Sequence, residues 1–91
     1  MAKVIITAKV EDTVKWEEGF RSHGELFRRQ TCVNPVHISI NDENEVALIF
    51  EPENLETFMH ILDTEGPDAM ANDGVLRDTV KLFVMDKEFQ I

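Results

Sequence analysis

Apolar and polar residues alternate from Lys3 to Val10, with Val4, Ile6, Ala8 and Val10 on one side and Lys3, Ile5, Thr7 and Lys9 on the other. A period of two carried largely by β-branched residues predicts a strand. The period then lengthens. Trp16, Phe20 and Phe27 fall in one narrow stripe at helical spacing, with His23 at its edge and Lys15, Glu18, Ser22, Glu25 and Arg29 opposite. Asp12 or Thr13 offers the capping oxygen, Glu17 and Glu18 lie toward the positive end, and Arg28 and Arg29 suit the negative end near Gln30. Asn34-Pro35 is expected to stop this helix and open a second strand, where Val36, Ile38 and Ile40 alternate with His37 and Ser39. The polar turn Asn41-Asp42-Glu43-Asn44 leads into a returning strand over residues 45–51, so the pair reads as a hairpin ended by Pro52. Asn54 caps a second helix whose stripe is Leu55, Phe58, Met59 and Leu62. Gly66-Pro67 is expected to interrupt that helix, leaving a short turn that carries Ala69 and Met70. Asn72-Asp73-Gly74 is a turn signal, and residues 79–88 form the last strand.

The order βαββαβ, with right-handed crossovers, specifies an α+β ferredoxin-like plait. It is a four-stranded antiparallel sheet with the first and third strands central and two helices on one face. No repeat, low-complexity stretch or linker divides residues 1–91, which form a single domain. The two sheet faces differ from the usual pattern. Val4, Ile6, Ala8, Val36, Ile38, Ile40, Val46, Leu48, Phe50, Leu82 and Val84 belong under the helices. The other face should be mostly polar if it met water, yet it keeps Ile5, Ile49, Phe83 and Met85 among Thr7, Lys9, His37, Ser39 and Ala47. Side chains of that size on one face make a patch of roughly several hundred Å², the scale of an interaction surface. The expectation is a homodimer packed sheet against sheet, with Ile5, Thr7, His37, Ile49, Phe83 and Met85 at the interface.

Composition narrows the function classes. Asp and Glu number 18 against 9 Lys and Arg, a net charge of −9. Phosphate neutralisation needs clustered cations, so no nucleic-acid partner and no anionic membrane surface are expected. Hydrophobic residues make up 43%, too many for a disordered chain. Cys32 is the single cysteine, which excludes an internal disulfide. Met1-Ala2-Lys3 leads straight into the strand pattern without a signal-peptide core, and no apolar run approaches the roughly 20 residues of a membrane span. The expectation is a cytoplasmic protein.

The chain resembles the dimeric α+β-barrel superfamily, in its antibiotic-biosynthesis-monooxygenase-like branch of small proteins. The residues that carry the resemblance are Val10-Glu11-Asp12-Thr13-Val14-Lys15-Trp16, Gly19-Phe20-Arg21-Ser22-His23, Phe50-Glu51-Pro52, Leu55-Glu56-Thr57-Phe58 and Asp68-Ala69-Met70-Ala71-Asn72-Asp73-Gly74-Val75. The resemblance implies a homodimer whose two sheets form a barrel and a ligand cleft between helices and sheet. It does not choose an activity, because the superfamily holds monooxygenases, isomerases, haem-processing enzymes and proteins without known activity.

His23 is the strongest candidate for chemistry. An imidazole at the edge of an aromatic stripe suits a general base or a ligand contact. The bland alternative is a half-buried histidine bonded to a carbonyl or carboxylate. Trp16, Phe20, His23 and Phe27 together would wall a flat ligand, although an aromatic stripe at this spacing is ordinary core. Gly19 and Gly24 border the stripe and give room for close packing or for a ligand. His37 points to the dimer face, and His60 to solvent. No two of the three histidines share a metal-binding spacing, and no metal or cofactor is expected. Arg28 and Arg29 would lower the Cys32 pKa slightly, but a small buried side chain is the expectation there. Two function classes remain. One is a homodimer that binds a small apolar molecule or a partner. The other is a cofactor-independent monooxygenase or isomerase, acting on an aromatic or polyketide-like substrate with His23 as base. A closed apolar wall at His23 would remove the enzyme. A pocket of about 300 Å³ with His23 and a second polar group aimed into it would favour it.

Overall fold

A computed structural model describes residues 2–91. The alternating segment forms β1, Lys3–Lys9, and its side chains alternate between buried and half-exposed. The hairpin is β2, His37–Ile40, and β3, Glu45–Phe50. β4 spans Lys81–Met85, shorter than the 79–88 expected, because residues 77–79 wind into a 3₁₀ turn and β1 offers partners only as far as Met85. The sheet order is β2-β3-β1-β4, every neighbouring pair antiparallel, so β1 and β3 are central. This is the ferredoxin-like plait.

The first helical stretch is not one helix. α1 covers Thr13–Arg21 and α2 covers Gly24–Arg29, with a bend at Ser22-His23. Asp12 is the cap, its Oδ1 accepting from the Val14 and Lys15 amides at 3.0 and 3.1 Å. Glu17 and Glu18 lie beyond the first turn, which has no acidic residue, so the carboxylate at the positive end is that of Asp12 alone. At the bend, the Ser22 hydroxyl donates to the Gly19 carbonyl and competes with the helical ladder. α2 ends well before Pro35. The Cys32 amide donates to the Phe27 carbonyl and the Thr31 amide to the Arg28 carbonyl, both at 3.0 Å. This is a Schellman closure, in which Thr31 takes the left-handed position (φ 67°) that glycine usually fills.

α3 runs unbroken over Leu55–Asn72 with Pro67 inside it. The expected interruption at Gly66-Pro67 does not occur. A proline in a helix interior costs about 3 kcal/mol, but the apolar stripe continues past it. Gly66 is buried against Leu62, and Ala69 and Met70 stay on the core side. Tertiary packing holds the helix together across the proline. Its end is fixed by Asp73, whose amide bonds to the Ala69 and Met70 carbonyls, and by Gly74 (φ 75°). The chain then returns to β1 through the Glu11 amide on the Gly74 carbonyl and the Leu76 amide on the Lys9 carbonyl.

All three helices cover the same face. Val4, Ile6, Ala8, Val46, Leu48 and Phe50 from the sheet meet Trp16 and Phe58, and Phe50 is the hub that touches the rings of Phe20, Phe27 and Phe58. Val36, expected in β2, packs on this core from just outside the strand. On the opposite face His37, Ile49, Ile5 and Phe83 stand in a single cross-strand row, and Met85 lies beyond it, opposite Lys3. Phe83 and Met85 are each 52% exposed. Thr7 lies in the next row, beside Ala47 and Lys81.

Candidate ligand site

Trp16, Phe20 and Phe27 form a continuous aromatic stack along α1 and α2, with ring centroids 5.0 and 4.9 Å apart. Trp16 is 2% exposed, while Phe20 and Phe27 are half-buried. The stack, the sheet and α3 line a half-open cavity of about 70 Å³. Its wall is apolar except for His23, Gln30 and Asp73. Trp16, Phe20, His23 and Phe27, singled out from the helical stripe, all border this one space.

The bend at Ser22-His23 turns the imidazole toward the end of α3. His23 Nε2 lies 2.9 Å from Asp73 Oδ2, and the two side chains are 22% and 9% exposed. An anion at the C-terminal end of a helix faces the negative end of the dipole, so the carboxylate sits there against local preference and takes its partner from the other helix. The contact is made through Nε2, so Nδ1 is the ring nitrogen turned away from Asp73. Among the described residues no hydrogen bond engages Nδ1. Gly19 makes the pair possible, since a Cβ there would stand 2.0 Å from Asp73 Oδ1. Asp73 was not identified from the chain, which places it fifty positions from His23 in an ordinary turn signal. The available hint was Gly19, a glycine inside a helix on the side of the buried stripe.

The remaining candidates are dispersed. His37 and His60 are exposed, His37 on the outer sheet face and His60 on α3. Among the described residues no cluster of three or more His, Cys, Asp or Glu side chains could hold a metal ion, and no helix is long and apolar enough to cross a membrane. Cys32 is buried, and burial pushes its thiol up to about 11. That reverses the lowering expected from Arg28 and Arg29, whose guanidinium groups are held at the surface by Glu25 and Glu65. The folded state thus prefers the protonated thiol. The stability this confers is complete below the ordinary thiol range and is lost as pH rises toward 11. Accordingly, Cys32 should react with a disulfide reagent at pH 8 at the rate of unfolding. Immediate stoichiometric labelling of the folded protein would contradict its burial.

Comparison with known proteins locates the fold. No family model matches the sequence, and no curated protein matches it. Solved structures do match over nearly the whole chain. An antibiotic biosynthesis monooxygenase has a TM-score of 0.66 at 16% identity, over 97% of this chain and 99% of that one. SnoaB from Streptomyces nogalater, a cofactor-independent oxygenase, has a TM-score of 0.70 at 16% identity, over 99% and 95%. The chain shares the ferredoxin-like α+β fold of these proteins. A dimeric ferredoxin-like protein from an uncultured marine organism also has this fold, with a TM-score of 0.58 at 15% identity, over 99% and 91%. At these identities the shared property is the fold, and the chemistry must be argued from the cleft.

Proposed function

We propose that the protein is a cytoplasmic homodimer that binds a small, flat, apolar molecule in the cleft between its helices and sheet, without a cofactor. The observation that carries this reading is the His23–Asp73 pair at the edge of an aromatic cavity whose one other polar lining residue is Gln30. An apolar body and one polar anchor are what a small-molecule site of this class supplies. The homodimer is supported by the outer row Ile5, Ile49 and Phe83 with Met85 and by the dimeric protein of the same fold. Binding is tested by titration with 1-nitronaphthalene, an apolar aromatic quencher, read through Trp16. This is the chain's only tryptophan, no tyrosine competes with it, and it lines the cavity. Saturable quenching at micromolar concentration is expected. Quenching no stronger than that of free tryptophan would refute the site.

The His23–Asp73 contact, which leaves Nδ1 without a hydrogen-bond partner among the described residues, favours a second, catalytic reading, in which His23 is the general base of a cofactor-independent oxygenase or isomerase acting on an aromatic or polyketide-like substrate. Asp73 would hold the ring and stabilise the imidazolium formed. SnoaB, which has the same fold, is a cofactor-independent oxygenase. Anthrone, a flat ketone with an acidic C–H, tests this in an oxygen electrode. Wild-type protein should accelerate oxygen uptake, and His23→Ala should lower the rate about 10²–10⁴-fold while still quenching with 1-nitronaphthalene. Equal uptake by wild type and His23→Ala would exclude His23 as the base.

A further inference from the structure

The outer sheet face is divided by charge as well as by hydropathy. On β1 its charged residues are Lys3 and Lys9, and on β3 and the residue after it they are Glu45 and Glu51. Lys81 adds a cation on β4, while β2 brings His37 and Ser39. The lysines therefore stand on the β1–β4 half of the face and the carboxylates on the other half. Lys9 is the cross-strand neighbour of Glu45, and the same register continued by one residue sets Lys3 beside Glu51. Among the described residues, however, no ion pair engages any of these five side chains. Glu45 Oε1 accepts instead from Asn41 Nδ2 at 3.1 Å, and Glu51 Oε2 from Asn34 Nδ2 at 3.4 Å.

We propose that this face recognises a second copy of the chain by charge, Lys3 and Lys9 pairing with Glu51 and Glu45 of the partner subunit, and that these pairs fix the twofold axis parallel to the strands. The proposal rests on the homodimer reading above and adds the direction and the selectivity of the pairing.

Symmetry carries the argument. The centre of the sheet lies between β3 and β1. A twofold axis running along that line lays β1 on the partner's β3, and β4 on the partner's β2. Each residue then faces the copy of its own neighbour across the sheet. Ile5 meets Ile49 of the partner subunit, Phe83 meets the partner subunit's His37, and Lys9 meets the partner subunit's Glu45. A twofold axis across the strands lays every strand on its own copy instead. The lysines of β1 then oppose lysines, and the carboxylates of β3 oppose carboxylates. Like charges facing each other suppress a pairing, whereas opposite ones fix its register. With 18 acidic residues against 9 basic ones, two copies already repel, so the arrangement that brings cations to anions is favoured. Packed sheets stand about 10 Å apart, a gap that a lysine and a glutamate together can bridge. Exposed ion pairs add little affinity. The apolar row supplies that, and the charges choose among orientations and partners.

The test exchanges the two signs. A variant carrying Lys3→Glu, Lys9→Glu, Glu45→Lys and Glu51→Lys keeps the net charge of −9. Nitrogen-15-labelled wild type is mixed with it at low ionic strength, where surface charges are least screened. Native mass spectrometry then counts the three dimers. Each form should pair with itself, leaving mixed dimers at least about tenfold below the share that random pairing gives. Were the axis across the strands, the variant's anionic β1 would meet the cationic β1 of wild type, and mixed dimers would exceed that share. Mixed dimers at or above the random share overturn the charge pairing and leave the homodimer standing. A monomeric wild type overturns both. Glu45→Lys alone gives an independent reading. It reduces the overall repulsion, yet it should weaken self-association at least about fivefold, because the added cation faces Lys9 of the partner subunit. Unchanged or tighter association of this variant overturns the proposal.

Discussion

Gly19→Ala should destabilise the protein by about 2–3 kcal/mol, although alanine at an exposed helical glycine normally adds close to 1 kcal/mol. The reversal comes from one carboxylate. The new methyl carbon would lie 2.0 Å from Asp73 Oδ1 and 2.6 Å from its Cγ. Asp73 cannot swing away cheaply, because its side chain is only 9% exposed and its amide closes α3 on the Ala69 and Met70 carbonyls. Either the helices part or the bond to His23 breaks. Overpacking costs about 1–3 kcal/mol in the first case, and a buried carboxylate deprived of its partner costs about 1–3 in the second. Urea denaturation monitored by Trp16 reads the effect as a lower midpoint at constant slope. In an Asp73→Ala background the same substitution should become neutral or stabilising, and this coupling identifies the clash as the cause. Wild-type stability for the single variant would show that the two groups do not meet as described.

Phe83→Glu should abolish the proposed homodimer. Phe83 is half exposed at the end of the row His37, Ile49, Ile5 and Phe83, with Met85 beside it on the same strand. In a twofold interface each substitution appears twice. Removing one aromatic anchor commonly costs about 2 kcal/mol or more, and the new carboxylates must also give up water. A total of about 4 kcal/mol weakens association roughly 10³-fold. Sedimentation at micromolar concentration should show a dimer for wild type and a monomer for the variant. The variant should keep its fold, since its side chain then faces water. A wild-type monomer at that concentration would end the pairing hypothesis.

The sheet was readable because a strand writes its two faces in alternate letters. Val4, Ile6 and Ala8 against Ile5, Thr7 and Lys9 state both burial and register, and the observed pairing preserves them. Helix ends were less legible wherever hydrogen bonding rather than residue type decides them. Ser22 stops α1 through its own hydroxyl, and Thr31 closes α2 where no glycine marks the turn. Pro67 misled in the other direction, because the contacts that carry α3 past it come from residues distant in sequence. The site was half visible. Its aromatic wall and His23 share one helical periodicity, whereas Asp73 reaches them only through the third dimension.

The turn at Thr31 joins two requirements in one residue. A branched side chain in left-handed backbone is strained by roughly 1–3 kcal/mol, and glycine or asparagine would relax it. Yet the hydroxyl that accepts from the Asn54 amide belongs to that side chain, and the Thr31 carbonyl accepts from the Glu53 amide alongside it. The joint therefore acts as a rivet between the end of one helix and the start of the next. A more comfortable backbone at this position would be gained by loosening the corner from which α3 is aimed.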